Sequence, residues 1–203
     1  MILGNLFIIT AASGAGKTTL VKALLGQDTQ LTLSVSHTTR LPRVGEVNGQ
    51  DYHFVSDAEF LAVLEQAGFL ESAQVHGARY GTSQAMVNVA LQSGRDVILE
   101  IDWQGAQQVR NIYPHAITIF VLPPSVDVLE QRLNNRGKDS SEVIARRVNA
   151  ARDEMRHMVE FDYVTINDNF EIALQDLSAI IRTHRLKSIQ QLARYQTLIQ
   201  QLT

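Results

Sequence analysis

The chain has 203 residues, 45% of them hydrophobic, and a formal net charge of −3 at pH 7. This size and apolar content predict one globular domain with insertions, and the charge argues against general binding to nucleic acids or membranes. The absence of cysteine excludes disulfides, thiolate metal sites and cysteine nucleophiles, so a metal ion needs oxygen or histidine ligands. The sequence shows neither a bilayer-length apolar run nor a secretory signal pattern, and we expect a cytoplasmic location.

The first predicted elements are a strand over residues 6–10, a loop over residues 11–18 and a helix after it. The loop reads AASGAGKT, and we interpret it as the phosphate loop of a protein that binds a nucleoside triphosphate. Gly14 and Gly16 let backbone N–H groups curl around phosphate oxygens at the helix N-terminus. Lys17 reaches the outer phosphates, and the Thr18 hydroxyl can bind magnesium.

Ala11 departs from the usual spacing of such a loop, which has glycine at this first position. Because alanine is limited to ordinary backbone angles, the departure concerns the entry of the loop and not its phosphate cradle. The alternative is a glycine-rich turn between a core strand and a core helix. The order of strand, loop, lysine, threonine and helix favours the phosphate site.

Four further apolar runs predict strands at residues 31–36, 97–101, 117–122 and 163–166. Helical patterns lie between or after them, so we predict an α/β fold with a parallel five-stranded sheet flanked by helices. From residue 170 the chain is predicted to be mainly helical. Its apolar positions can pack on the sheet or on a partner subunit; they are Leu174, Leu177, Ile181 and Leu192.

Two insertions interrupt this alternation, at residues 36–92 and 125–158, and leave residues 1–35, 93–124 and 159–203 for the core. The first is predicted to contain a helix over residues 57–66 with Asp57 as its N-cap. The second has six basic and two acidic residues between Arg132 and Arg152, which indicates a mobile basic lid.

A second candidate phosphate site lies in residues 34–52, which read SVSHTTRLPRVGEVNGQDY. Pro42 disfavours helix before it and keeps Arg40 and Arg43 on extended backbone. Their guanidinium groups and the Tyr52 hydroxyl can then bind one dianion. On these residues alone a solvated basic loop is an equally good interpretation, but the phosphate loop elsewhere favours a pocket for an acceptor nucleotide.

Together with Glu71, Tyr80-Gly81-Thr82 and Glu100-Ile101-Asp102-Trp103-Gln104-Gly105, these motifs make the whole chain resemble the guanylate kinases. The resemblance implies the P-loop nucleoside-monophosphate kinase fold, with a GMP-binding subdomain at residues 36–92 and a helical lid at residues 125–158. It also implies magnesium-dependent transfer of the ATP γ-phosphoryl group to GMP, and we expect dGMP to be accepted too.

The resemblance further implies a role for each matching residue. The ATP site would comprise Ala11, Ala12, Ser13, Gly14, Ala15, Gly16, Lys17, Thr18, Thr19 and Asn167. The GMP site would comprise Ser36, Arg40, Arg43, Tyr52, Glu71, Tyr80, Thr82 and Asp102. The catalytic set would be Lys17, Arg132, Arg136 and Arg147, and the magnesium ligands would be Thr18 and Asp102. Sequence does not separate a magnesium role of Asp102 from a guanine role.

The chemistry of the base agrees with this assignment. Guanine presents an N1–H and an exocyclic amine on one edge, so a carboxylate such as Glu71 can accept from both, and a hydroxyl such as Thr82 can donate to the base carbonyl. Adenine has no such pair of donors. A site built on buried hydrogen bonds can reject the wrong base by ~10⁴-fold or more.

Three other functions remain as alternatives. One is a kinase for another nucleoside monophosphate, but such an enzyme would not need Glu71 and Thr82. Another is a scaffold module that binds phosphopeptides, which would not need Lys17 or an arginine-rich lid. The third is a P-loop GTPase, which would require a guanine-reading N-K-x-D motif.

GMP and ATP are the expected partners, and we expect no binding to nucleic acid or membranes. A homodimer or a higher homo-oligomer is compatible with the sequence.

Overall fold

The computed structural model of the chain describes residues 4–75, 77–135 and 141–203. Its strands are β1 (Leu6–Ala11), β2 (Leu31–Leu33), β3 (His37–Thr38), β4 (His53–Phe54), β5 (Phe69–Val75), β6 (Ala78–Ser83), β7 (Asp96–Glu100), β8 (Ile117–Leu122) and β9 (Tyr163–Ile166). The main sheet is five-stranded and parallel in the order β2-β7-β1-β8-β9. This confirms the predicted α/β fold.

Helices follow or separate these strands. They are α1 (Lys17–Gln27), α2 (Asp57–Glu65), α3 (Gln84–Gln92), α4 (Trp103–Ile112), α5 (Val126–Asn134), α6 (Ser141–Arg156), α7 (Phe170–Arg185), α8 (Ser188–Arg194) and α9 (Gln196–Leu202). A 3-10 turn, His157–Glu160, follows α6. A second, four-stranded sheet has the order β4-β3-β6-β5, so β5 lies at one of its edges.

The main sheet is covered by helices on both faces, which is why its strands read as continuous apolar runs. On one face, Phe7 and Ile9 pack with residues of α1 and α7. On the other face, Ile8 and Leu99 pack with residues of α3 and α4. Alternate residues of β1 and β7 therefore face opposite layers, as the period of two requires.

Two local expectations are corrected by the structure. The strand predicted over residues 31–36 ends at Leu33. The N-cap of α2 is Ser56 and not Asp57, because the Ser56 hydroxyl accepts from the Glu59 N–H while the Glu59 carboxylate accepts from the Ser56 N–H, a complete capping box. Of the four apolar positions near the C-terminus, three pack on the main sheet, as one of the two expected arrangements requires, and Leu192 is exposed.

The described part of the chain contains no helix with the length and apolar content needed to span a bilayer. Within the same residues, no group of three or more histidine or acidic side chains is arranged to hold a metal ion.

A buried ionic cluster joins the N-terminal ends of strands in the main sheet to α7. It lies at the opposite end of these strands from the phosphate loop. Arg185 donates from Nε to Asp96 Oδ2 and from Nη1 to Asp28 Oδ2, both at 2.5 Å. The other Asp96 oxygen accepts from the backbone N–H and the side-chain amide of Asn5, at 2.7 and 2.9 Å. Asp96 is 3% exposed, so its charge depends on these partners.

Arg185→Met should lower the free energy of unfolding by about 3 kcal/mol, because it leaves the buried Asp96 carboxylate without its cationic partner. Urea denaturation at neutral pH measures the change. Arg156→Met is the matched control: Arg156 pairs with Asp153 on the surface, where their side chains are 80% and 70% exposed, and its loss should cost about 0.5 kcal/mol or less. Equal losses for the two variants would contradict a structural role of the buried cluster.

Candidate functional site

The phosphate loop, residues 11–18, leaves the carboxyl end of β1 and enters α1. Gly14 and Gly16 have φ angles of 95° and 97°, a region that side chains disfavour, so glycine is needed at both positions. Ala11 instead ends β1 and pairs with Val121 of β8. Because a strand position has ordinary backbone angles, alanine is accommodated where the usual motif has glycine.

Asn167 and Arg132 hold the loop from outside. The Asn167 side-chain amide donates to the Ala15 carbonyl at 2.8 Å. Arg132 donates to the same carbonyl at 3.3 Å and to the Asn167 carbonyl at 3.1 Å. A Cβ atom on Gly16 would lie 2.3 Å from the Asn167 amide nitrogen. Glycine at this position therefore also leaves room for the Asn167 side chain that contacts the loop.

Lys17 and Thr18 lie against the end of β7. The Lys17 ammonium donates to the Ile101 carbonyl at 3.2 Å. The Thr18 hydroxyl donates to the Glu100 carboxylate, so Glu100 is the acidic group in contact with the threonine of the loop. Asp102 has a different contact: it is the N-cap of α4 and accepts from the Gly105 N–H at 2.8 Å.

A carboxylate from α6 also contacts the loop. The Ser13 backbone N–H donates to Glu154 Oε2 at 3.2 Å, and Glu154 lines the cavity around the loop. Backbone N–H groups at a helix N-terminus attract anions. The Glu154 carboxylate therefore occupies a position where the loop can bind a phosphate oxygen.

Two cavities meet at Lys17. The Glu71 cavity, about 140 Å³, is lined by Lys17, Ser36, Tyr52, Glu71, Ala73, Val75, Tyr80, Glu100, Ile101 and Asp102. The phosphate-loop cavity, about 230 Å³, is lined by residues of the loop together with Tyr52, Val75, Tyr80, Asp102, Trp103 and Glu154. Lys17 lines both, so this cation is common to the two candidate nucleotide sites.

Glu71 is the buried acid of its cavity. It is 4% exposed, and its Oε1 accepts from the Thr82 hydroxyl at 2.6 Å. Burial raises the pKa of Glu71 to about 7, and the nearby Asp102 carboxylate adds to this rise. The other oxygen, Oε2, lies close to α4: a Cβ atom on Gly105 of that helix would be only 2.5 Å from it. The site thus keeps a strong acceptor out of bulk water.

Arg40 is held in place by a carboxylate and two rings. Its guanidinium donates to both Glu46 oxygens, at 2.8 and 3.0 Å, and this bond holds the pKa of Glu46 below its usual range. The guanidinium carbon lies 5.4 Å from the centre of the Tyr52 ring and 5.7 Å from that of Phe54. Burial raises the pKa of Tyr52 to about 12, so its phenol remains a hydrogen-bond donor at neutral pH.

The structure thus gathers most of the predicted site residues around the two cavities. Arg43 lies in the loop beside Glu46, which accepts from its backbone N–H at 2.6 Å. Thr19 is exposed at the start of α1, and Arg147 is half-buried on α6. The predicted catalytic Arg136 lies outside the described residues.

Three acidic residues at the site were not singled out from the sequence: Glu46, Glu100 and Glu154. Glu46 lies within the arginine-rich motif, and its spacing from Arg40 was an available signal. Glu100 belongs to the motif that begins Glu100-Ile101-Asp102, but its contact with Thr18 depends on how β7 lies beside α1. Glu154 had no signal in the sequence, because its contact joins the loop to a residue 141 positions away.

Comparisons with known proteins identify close relatives. A family model described as guanylate kinase matches residues 4–184. The chain is 67% identical to a guanylate kinase of Methylobacillus flagellatus and 54% identical to one of Dechloromonas aromatica, each match covering 98% of both chains. A crystal structure of guanylate kinase from Anaplasma phagocytophilum is 30% identical, with a TM-score of 0.77 over 93% of this chain and 89% of that one.

The raised pKa of Glu71 makes a prediction about stability without added nucleotide. Between pH 4.5, the ordinary pKa of this group, and about pH 7, the folded chain keeps the Glu71 proton that the unfolded chain loses. The contribution of this carboxyl to the free energy of unfolding is therefore lost as the pH rises through that range. Urea denaturation of wild type and Glu71→Gln from pH 4.5 to 8 should show the variant gaining roughly 3 kcal/mol relative to wild type. A difference that does not change with pH would contradict burial of a titrating carboxyl.

Proposed function

We propose that this chain, which belongs to the guanylate kinase family and transfers a phosphoryl group from ATP to GMP, binds its two nucleotides in the two joined cavities. GMP would occupy the Glu71 cavity, and ATP would lie with its phosphates on the phosphate loop. The observation that carries the proposal is the position of Lys17, which lines both cavities. A cation there can neutralise charge on a phosphoryl group as it passes from one nucleotide to the other.

The guanine base would be read by its hydrogen-bond donors. The Glu71 carboxylate would accept from N1–H and the exocyclic amine, with Thr82 and Asp102 beside it. Thr82 already donates to one Glu71 oxygen and so fixes the orientation of the carboxylate. Since the carboxylate is buried, a base without these donors would leave it unpaired at a large cost.

The GMP phosphate would lie where arginine and tyrosine side chains converge. Ser36, Tyr52 and Tyr80 line the cavity, and Arg40 lies against the Tyr52 ring. The Arg40–Glu46 pair holds the guanidinium in one orientation before substrate arrives, which reduces the entropy lost on binding. Arg43 would add a second guanidinium to the same phosphate.

The ATP phosphates would bind the backbone N–H groups of the loop. A phosphate oxygen would replace the Glu154 carboxylate at the Ser13 N–H, and Lys17 would exchange the Ile101 carbonyl for the outer phosphates. Asn167, which supports the loop, would lie near the adenine. The remaining contacts would come from the loop residues themselves, from Ala11 to Thr19.

Phosphoryl transfer needs no general base here, because the attacking oxygen of GMP is already anionic near neutral pH. Catalysis then consists of positioning and charge neutralisation. Lys17 would act with Arg132, Arg136 and Arg147. We propose that residues 125–158, as a lid, and residues 36–92, as the GMP-binding subdomain, close on the core and exclude water from the transferring group.

Magnesium fits the donor set at the end of β7. The Thr18 hydroxyl and the Glu100 carboxylate are in contact, and both supply the oxygen ligands that magnesium prefers. Bound magnesium would neutralise charge on the β- and γ-phosphate oxygens. Of the two carboxylates, Glu100 is the better candidate, because it is in contact with the Thr18 hydroxyl, whereas Asp102 caps α4.

The assignment of the cavities is tested by ADP formation from ATP and magnesium with GMP, dGMP, AMP, CMP or UMP as acceptor. Wild type should use GMP and dGMP and show little activity with the other three. Glu71→Gln should lower kcat/KM for GMP by about 100-fold or more, because its amide places N–H groups against the donors of the base. An unchanged kcat/KM for GMP in the variant would refute guanine recognition by Glu71.

The magnesium proposal is tested by a pair of variants, Glu100→Gln and Asp102→Asn. Glu100→Gln should raise the magnesium concentration needed for half-maximal rate by about 10-fold or more, since the loss of even a group that only supports a metal ligand commonly costs about 10- to 100-fold. Asp102→Asn should change magnesium dependence less and affect KM for GMP more. The reverse pattern would return the magnesium role to Asp102.

A further inference from the structure

Gln108 of α4 makes an unusual contact with the edge of the second sheet. Its side-chain amide oxygen accepts from the Ser72 backbone N–H at 3.1 Å, and its amide nitrogen donates to the Ser72 carbonyl at 2.9 Å. Ser72 lies in β5, at the edge of that sheet. An edge strand presents unpaired backbone groups, and Gln108 satisfies both groups of this residue as a neighbouring strand would.

The contact is adjacent to the carboxylate of the Glu71 cavity. Ser72 follows Glu71 in β5, and Gly105 precedes Gln108 by three residues on α4, so Gly105 and Gln108 lie on one face of the helix. At Gly105 a Cβ atom would be 2.5 Å from Glu71 Oε2. One helix face therefore holds the backbone of β5 at Ser72 and leaves room for the Glu71 side chain.

Helix α4 is itself fixed to the main sheet. Ala106 and Val109 are fully buried and pack with Val97 and Leu99 of β7. Leu70 of β5 belongs to the same apolar cluster. The hydrogen bonds of Gln108 therefore connect β5 to the core that carries the phosphate loop, and not only to its own sheet.

We propose that Gln108 is a positioning residue for guanine recognition: its two hydrogen bonds to Ser72 hold β5 in the register that points the Glu71 carboxylate into the cavity. This inference rests on the proposed role of Glu71 in binding GMP. Gln108 acts only through β5 and does not line either cavity. Without its amide, two backbone groups lose their partners, and β5 can shift relative to α4.

The test is Gln108→Met, which keeps the length and packing of the side chain and removes both hydrogen bonds. Calorimetry and steady-state kinetics should show affinity for GMP falling by about tenfold, with KM for ATP unchanged. The preference for GMP over IMP should also fall, because IMP lacks the exocyclic amine that a correctly placed carboxylate binds. Gln107→Met, on the exposed side of the same helix, should behave as wild type.

Glu71→Gln is measured beside these variants. It distinguishes a wrong assignment of Glu71 from a wrong assignment of Gln108. Unchanged GMP affinity and GMP/IMP preference in Glu71→Gln would overturn the role of Glu71 itself. Loss of both in Glu71→Gln, with Gln108→Met like wild type, would overturn only the positioning role. Equal weakening of ATP and GMP in Gln108→Met would also overturn it, because a general structural defect would not discriminate between substrates.

Urea denaturation establishes that each variant is folded before its kinetics are interpreted. If Gln108→Met is unfolded, Gln108→Ala replaces it, since alanine is the best helix former and also lacks the amide. The same selective loss for GMP is expected in that variant. Wild-type affinity and GMP/IMP preference in folded Gln108→Ala would refute the proposal.

Discussion

Burial of the Glu71 carboxyl is the constraint on which the arrangement of this site depends. The group is almost fully buried, accepts a hydrogen bond from the Thr82 hydroxyl and lies near a second carboxylate, that of Asp102. Desolvation of this kind is unfavourable for folding. It becomes useful when a ligand supplies two N–H donors at once, because the acceptor then gains partners that water does not provide.

Other polar groups of the candidate site are held by internal partners, which bound nucleotides would replace or use. Glu154 contacts the Ser13 N–H, Lys17 donates to the Ile101 carbonyl, and Arg40 is fixed by Glu46. The first two contacts satisfy a donor that ATP phosphates would take over. The third orients a guanidinium that would remain paired while it binds GMP. The Arg40 guanidinium is therefore oriented before substrate binds, which would limit the entropic cost of binding.

The fold followed from local sequence signals, whereas the contacts that orient the candidate site did not. Continuous apolar runs predicted the parallel sheet, and glycine spacing predicted the phosphate loop. Alanine is accommodated at position 11 because this residue ends β1, a fact that the loop motif alone does not indicate. The contacts of Thr18 with Glu100 and of Ser72 with Gln108 join residues 82 and 36 positions apart, so they depend on packing between elements that a local pattern does not encode.

The most direct test of the central claim is the number of protons released when GMP binds at pH 6.5. Calorimetry in two buffers of different ionisation enthalpy, on wild type and Glu71→Gln, isolates the contribution of this carboxyl from that of the GMP phosphate. With a pKa of about 7, wild type should release roughly three quarters of a proton more than the variant. Equal release by the two proteins would contradict guanine binding by an ionised Glu71.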